Sequence, residues 1–93
     1  MNFTWDQDKA ASNLEKHGLS FEEASTAFAD PLSRTRPDPL HSDEEDRFVL
    51  LGLTTAGQLV IVVHTDRGET VRLISARLAT PGERRRYEQT HEE

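Results

Sequence analysis

A chain of 93 residues supports one domain with one modest core, so an active site is expected on the surface of that core or in a shallow groove rather than in a deep cofactor pocket. Cysteine is absent, which removes a disulfide framework, a thiolate zinc site and a cysteine nucleophile. The net charge of −6 is unevenly spread: residues 1–46 hold 11 acidic and 4 basic side chains, residues 47–93 hold 6 and 7, and the overall acidity argues against tight nonspecific nucleic-acid binding.

In chain order, the alternation of Phe3 and Trp5 predicts a short strand over 2–5. Asp6 can cap a helix over 7–16, which Gly18 ends. Its apolar stripe is narrow, with Ala10, Asn13, Leu14 and His17 at helical spacing. Ser20-Phe21-Glu22-Glu23 is a capping box for a second helix, whose buried face holds Phe21, Ala24 and Phe28. Asp30-Pro31 ends it, because the residue before proline is driven out of the helical region. The few residues between the two helices predict a helical hairpin.

Residues 31–46 contain three prolines and an acidic run, and predict a long loop with a short edge strand near 33–36. Strands follow over 47–54, 58–65 and 70–77, joined by short turns as an antiparallel meander. Thr80-Pro81-Gly82-Glu83 is a second capping box and starts a polar C-terminal helix. The expected domain, 1–93, is α+β, with the early helices on one sheet face. The opening residues lack a basic segment followed by an apolar one, and the apolar runs 48–51 and 59–63 cannot span a bilayer, so a cytoplasmic protein is expected.

Trp5-Asp6, Lys9-Ala10, Asn13, Lys16-His17-Gly18, Phe21-Glu22-Glu23-Ala24, Phe28 and Asp30-Pro31 resemble the N-terminal signature of the BrnT toxins. Arg47, Gly52, His64-Thr65-Asp66-Arg67-Gly68, Arg72-Leu73-Ile74-Ser75-Ala76-Arg77, Glu83-Arg84 and Tyr87 continue it. The resemblance implies a RelE-like fold, with a small antiparallel sheet, an N-terminal two-helix hairpin and a short C-terminal helix. It implies a ribonuclease toxin that inhibits translation without a metal or other cofactor. The implied partner is a BrnA antitoxin with a ribbon-helix-helix domain, which neutralises the toxin and through which the complex reaches operator DNA.

Metal-free RNA cleavage needs a base for the 2′-hydroxyl, positive charge on the transition state and an acid for the leaving oxygen. Every basic residue after Arg36 is an arginine, whose planar fork suits phosphate. If the 66–69 turn has two or four residues, Thr65 pairs with Thr70 and His64 with Val71. His64, Ser75 and Arg77 then share one face, and Arg72 joins Ile61, Val63 and Ile74 on the other. A three-residue loop with a bulge would shift this register by one. The expected site is Arg47, Arg67 and Arg77 with His64 as acid or base, and with Arg72, Lys9 and Lys16 as further RNA contacts.

Structural readings stand beside each of these. Arg47 and Arg77 can pair with carboxylates, His64 can be a half-buried strand residue, and His17 can cap a helix. Arg84, Arg85 and Arg86 can be an exposed helix face, and His41 with Asp43 to Asp46 can be a solvated loop. Both faces of the central strands are apolar, so the side away from the early helices needs a cover, from the C-terminal helix or from another chain. A catalytically weak module that binds antitoxin and tunes operon repression is the alternative function.

Overall fold

The computed structural model describes residues 1–38 and 46–90. Asp6 stands in an extended conformation and accepts the amides of Asp8 and Lys9 at 2.8 and 3.2 Å, which starts helix α1, Gln7–His17. Gly18 closes it, its amide donating to the Leu14 carbonyl. The Ser20 hydroxyl accepts the Glu23 amide at 3.0 Å and opens α2, Phe21–Ser25, which continues as a 3₁₀ turn, Thr26–Ala29. The second helix is therefore shorter than its apolar spacing suggests, and its last turn tightens before Asp30-Pro31.

Five strands form one sheet in the order β1 (Asn2–Thr4), β5 (Thr70–Leu78), β4 (Leu59–Arg67), β3 (Arg47–Leu53), β2 (Arg34–Pro37). The expected sheet was wholly antiparallel. The observed sheet is mixed, because β1 runs parallel to β5. The chain reaches that edge through the helices and the other strands, so nothing forces a hairpin there.

α1 and α2 cover one face. Phe21, Ala24 and Ala27 pack there on Leu50, Val60, Val62, Val71, Leu73 and Ala76. Gly52 in β3 lets the 3₁₀ turn lie close: a Cβ would meet the Ala27 carbonyl oxygen at 3.0 Å. The polar helix α3, Pro81–Thr90, crosses the opposite face at one end, where Ala79 and Tyr87 pack on Leu51, Leu59 and Ile61. Tyr87 also donates its hydroxyl to Asp30 Oδ2 at 2.7 Å. Burial and the Asp30 charge push that phenol up to about 12, so it stays a donor throughout the physiological range.

The β4–β5 hairpin sets the faces of the sheet. Arg67 pairs with Thr70 across a two-residue loop, and Gly68 takes the positive φ of 76° that such a loop needs at its first position. Thr65 thus opposes Arg72 rather than the expected Thr70, and His64 opposes Leu73 rather than Val71, because the strands run on to Arg67 and Thr70; the offset of two leaves the faces unchanged here. A bulge follows: Val63 opposes Ser75, and Ile74 has no opposite number. Beyond it the alternation of β5 is reversed.

Candidate functional site

The face away from α1 and α2 collects the strand arginines. Its rows follow from the register and from the strand alternation. One row runs Arg34, Leu51, Ile61, Arg77, and the next runs Arg36, Val49, Val63, Ser75. A third runs Arg47, Thr65, Arg72, and reaches Thr4 at the far edge. Asp38 extends it at the near edge, since its amide donates to the Arg47 carbonyl at 2.8 Å. Arg67 stands beyond, at the hairpin end. Six arginines thus share one side of an acidic protein. Five come from the three strands β2, β3 and β5, and the bulge is what brings Arg72 and Arg77, five positions apart, to the same side.

The third row lies at the end of this face away from α3. Arg47 and Arg72 flank Thr65 from the two neighbouring strands, so their backbones stand roughly 10 Å apart. Two long side chains rooted at that spacing can grip one phosphate between them. Thr65 is buried, and its hydroxyl lacks a hydrogen-bond partner among the described residues. A buried hydroxyl left unpaired costs stability, and in this row it supplies a donor beneath the two guanidinium roots.

Arg77 lies on the same face, held in an ion pair with Glu83. Its Nη1 and Nη2 donate to the two carboxylate oxygens of Glu83 at 2.8 and 2.9 Å, and Nη1 also reaches the Leu78 carbonyl. Glu83 accepts the Thr80 amide at 2.8 Å as well, and its own amide donates to the Thr80 hydroxyl. The capping box and the ion pair therefore share one carboxylate, which ties the start of α3 to β5. The Arg77 fork, helped by the Thr80 amide, holds the Glu83 carboxyl at about 2, and Glu83 in turn raises the Arg77 guanidinium.

A carboxyl lowered in the folded state adds stability above its ordinary value of 4.5, and this is lost as pH falls toward 2. Arg77 remains 43 % exposed, so water screens the pair and the gain is about 1 kcal/mol. Glu83→Gln should lower stability by that amount at pH 7 in urea titrations. The gap from the parent should close between pH 4.5 and 2. A gap that stays constant over that range would show that the carboxylate charge is not the source.

His64 departs from expectation. It was expected to share a face with Arg77, but the bulge at Ile74 flips Arg77 to the other side. His64 is 4 % exposed under the helical layer, its ring 4.8 Å from that of Phe28 and stacked on Phe48 at 6.0 Å. Its Nδ1 lies 3.3 Å from the Val62 carbonyl oxygen. Burial lowers its pKa below 6.5, against the pull of Val62 and Asp66, and the ring is neutral at pH 7. It does not join the arginine face.

Lys9 and Lys16 are exposed on α1, in the layer across the sheet from Arg47 and Arg72. One phosphate cannot touch both groups. Arg72 does share its face with Ile61 and Val63, as the pairing rule required. His41 and Asp43 to Glu45 lie outside the described residues. Arg34 and Arg36 share the face outside the Arg47 row, and Thr65 and Asp38 stand within that row, none of them among the expected residues. The alternation Arg34-Thr35-Arg36 in an edge strand is the signal that could have found the first two.

Three comparisons bear on identity. The sequence profile described as "Ribonuclease toxin, BrnT, of type II toxin-antitoxin system" matches residues 5–83. No curated protein sequence matches. The crystal structure of the Brucella abortus ribonuclease toxin BrnT is similar to this chain with a TM-score of 0.63 and 25% identity, over 86% of this chain and 97% of that one. The profile spans both the helical layer and the strands that bear the arginines, and the neighbour repeats the same α+β architecture. The chain belongs to the BrnT family of ribonuclease toxins from type II toxin–antitoxin systems.

Proposed function

We propose that the protein is a metal-independent endoribonuclease toxin of the cytoplasm, with a RelE-like fold and an N-terminal helical hairpin. It inhibits translation by cutting single-stranded or ribosome-associated RNA. A BrnA-like ribbon-helix-helix antitoxin neutralises it, and operator DNA is met only through that antitoxin. The observation that carries the chemistry is the row Arg47, Thr65, Arg72 on the face away from α1 and α2, with Arg67 at its end. The family's ribonuclease description supports the reaction class.

The reaction is transesterification. The ribose 2′-hydroxyl gives up its proton to a water molecule and its oxygen bonds to phosphorus, and the bond from phosphorus to the 5′-oxygen breaks. That oxygen takes a proton from water, leaving a 2′,3′-cyclic phosphate and a 5′-hydroxyl. Charge builds on the two non-bridging oxygens in between. Arg47 and Arg72 meet that charge as permanent cations, and Arg67 steadies the neighbouring phosphate. Arg77, tied to Glu83, acts as a positioning residue for α3. His64 is dropped as acid or base in this proposal, because it is buried on the opposite face.

A second reading is favoured by the same two facts. With His64 removed and Arg77 engaged, the catalytic set is thin, which suits a module that mainly binds antitoxin. The test separates them. Purified protein is incubated with a short RNA in excess chelator, and the products are examined for cyclic phosphate ends. Cleavage in chelator supports the enzyme. No cleavage, or cleavage only with a divalent ion, overturns the metal-independent nuclease.

A further inference from the structure

The face that bears α3 has a second feature, beside the Arg47–Thr65–Arg72 row. Between the edge strand β2 and α3 lies a groove of about 270 Å³. Its floor is aliphatic: Val49, Leu51 and Ile61. Its rim is cationic: Arg34 and Arg36 from β2, Arg86 from α3. Thr35 completes the described lining. All four residues of β2 are exposed, and as the last strand of the sheet it has one outer edge unpaired by any strand among those described.

We infer that this groove docks an acidic, aliphatic segment of the protein antitoxin, through Leu, Ile or Val side chains on the floor and Asp or Glu on the arginine rim. The inference rests on the family assignment, which implies an antitoxin, and it names where that partner sits. Single-stranded RNA suits the groove less well. Bases bind through stacking on aromatic rings, and this floor has none. A phosphodiester chain would also lay its charges over three aliphatic side chains, whereas a peptide can bury methyl groups there and keep its carboxylates at the rim.

Charge sharpens the choice. The chain carries −6 overall, so an acidic partner is repelled elsewhere and drawn to this side. The outer edge of β2, unpaired by any described strand, offers main-chain groups to an extended segment, up to Pro37, which has no amide hydrogen. Edge pairing would direct alternate side chains of that segment toward the groove.

The experiment titrates the full-length toxin with the antitoxin expressed from the neighbouring gene. Arg34→Glu/Arg36→Glu should weaken binding at least 100-fold, while leaving RNA cleavage within twofold of the parent. Lys9→Glu/Lys16→Glu, on the opposite layer, should change binding less than threefold. Arg86→Glu, at an exposed position of α3, tests the same rim should the double variant fail to fold. Unchanged affinity in the rim variants overturns the inference. So does an equal loss in the lysine variant, which would mean bulk electrostatics. Lost cleavage with affinity retained would make the groove an RNA surface instead. If the parent cleaves no RNA, the nuclease reading fails while the affinities still decide the groove.

Discussion

Asn13→Ala should cost about 3 kcal/mol of stability, the largest loss expected from any single side chain outside the apolar core. Asn13 is 6 % exposed, in the middle of α1. Its Nδ2 donates to the Leu19 carbonyl at 3.0 Å and to the Ala76 carbonyl at 2.8 Å, and its Oδ1 accepts the Ala76 amide at 3.0 Å. The reason lies in the sheet. β1 pairs with β5 from Thr70 to Arg72, so Ala76 lies beyond the reach of that neighbour. The side-chain amide of Asn13 stands in for the missing strand and binds both polar groups of one residue, as a peptide unit would.

Alanine removes all three bonds and leaves buried donors and acceptors behind, each costing roughly 1–3 kcal/mol before water enters. For a domain of this length a loss of about 3 kcal/mol lowers the melting temperature by ~12–20 °C, readable by circular dichroism. Asn13→Asp should be at least as harmful at neutral pH, since it sets a carboxylate against two carbonyl oxygens. A loss under 1 kcal/mol for the alanine variant would show that the sheet edge finds other partners.

Local signals in the sequence survived translation into structure, and non-local ones did not. Asp6, Gly18, the Ser20–Glu23 box and the Thr80–Glu83 box are all short-range hydrogen-bond patterns, and each sits where its spacing required. The meander followed from three apolar runs and two turns. The parallel β1, by contrast, pairs with a strand nearly seventy residues away, and nothing near Asn2 declares it. The role of Asn13 is hidden for the same cause, because its partner Ala76 is 63 positions on. The bulge at Ile74 is the costliest omission. One extra residue exchanged the faces of Ser75 and Arg77, and so parted His64 from Arg77. Glu83 was read as a cap and Arg77 as a pair-former, but that they meet each other was not legible from either position.

Arg72→Ala should lower RNA cleavage by about two to three orders of magnitude, and Arg47→Ala by a comparable factor, with the fold intact. Both side chains rise from paired strand positions on either side of Thr65, so their removal leaves the ladder of main-chain bonds in place. Arg72 is exposed, and a substitution there should move the melting temperature by only a few degrees. The loss belongs to the chemical step, because the guanidinium acts on charge that grows as the 2′-oxygen attacks. Single-turnover cleavage of a saturating short RNA isolates that step from binding.

Arg72→Lys refines the result. It restores the charge but not the two-pronged grip, so activity should recover only in part. Arg77→Ala supplies the contrast. It releases Glu83 and loosens the start of α3, so its deficit should appear chiefly in stability, and activity should return at low temperature. If the Arg47 and Arg72 variants both cut RNA at the parent rate while the Arg77 variant is dead though folded, the catalytic centre lies at the Arg77 end of the face. The row around Thr65 would then have no part in the reaction.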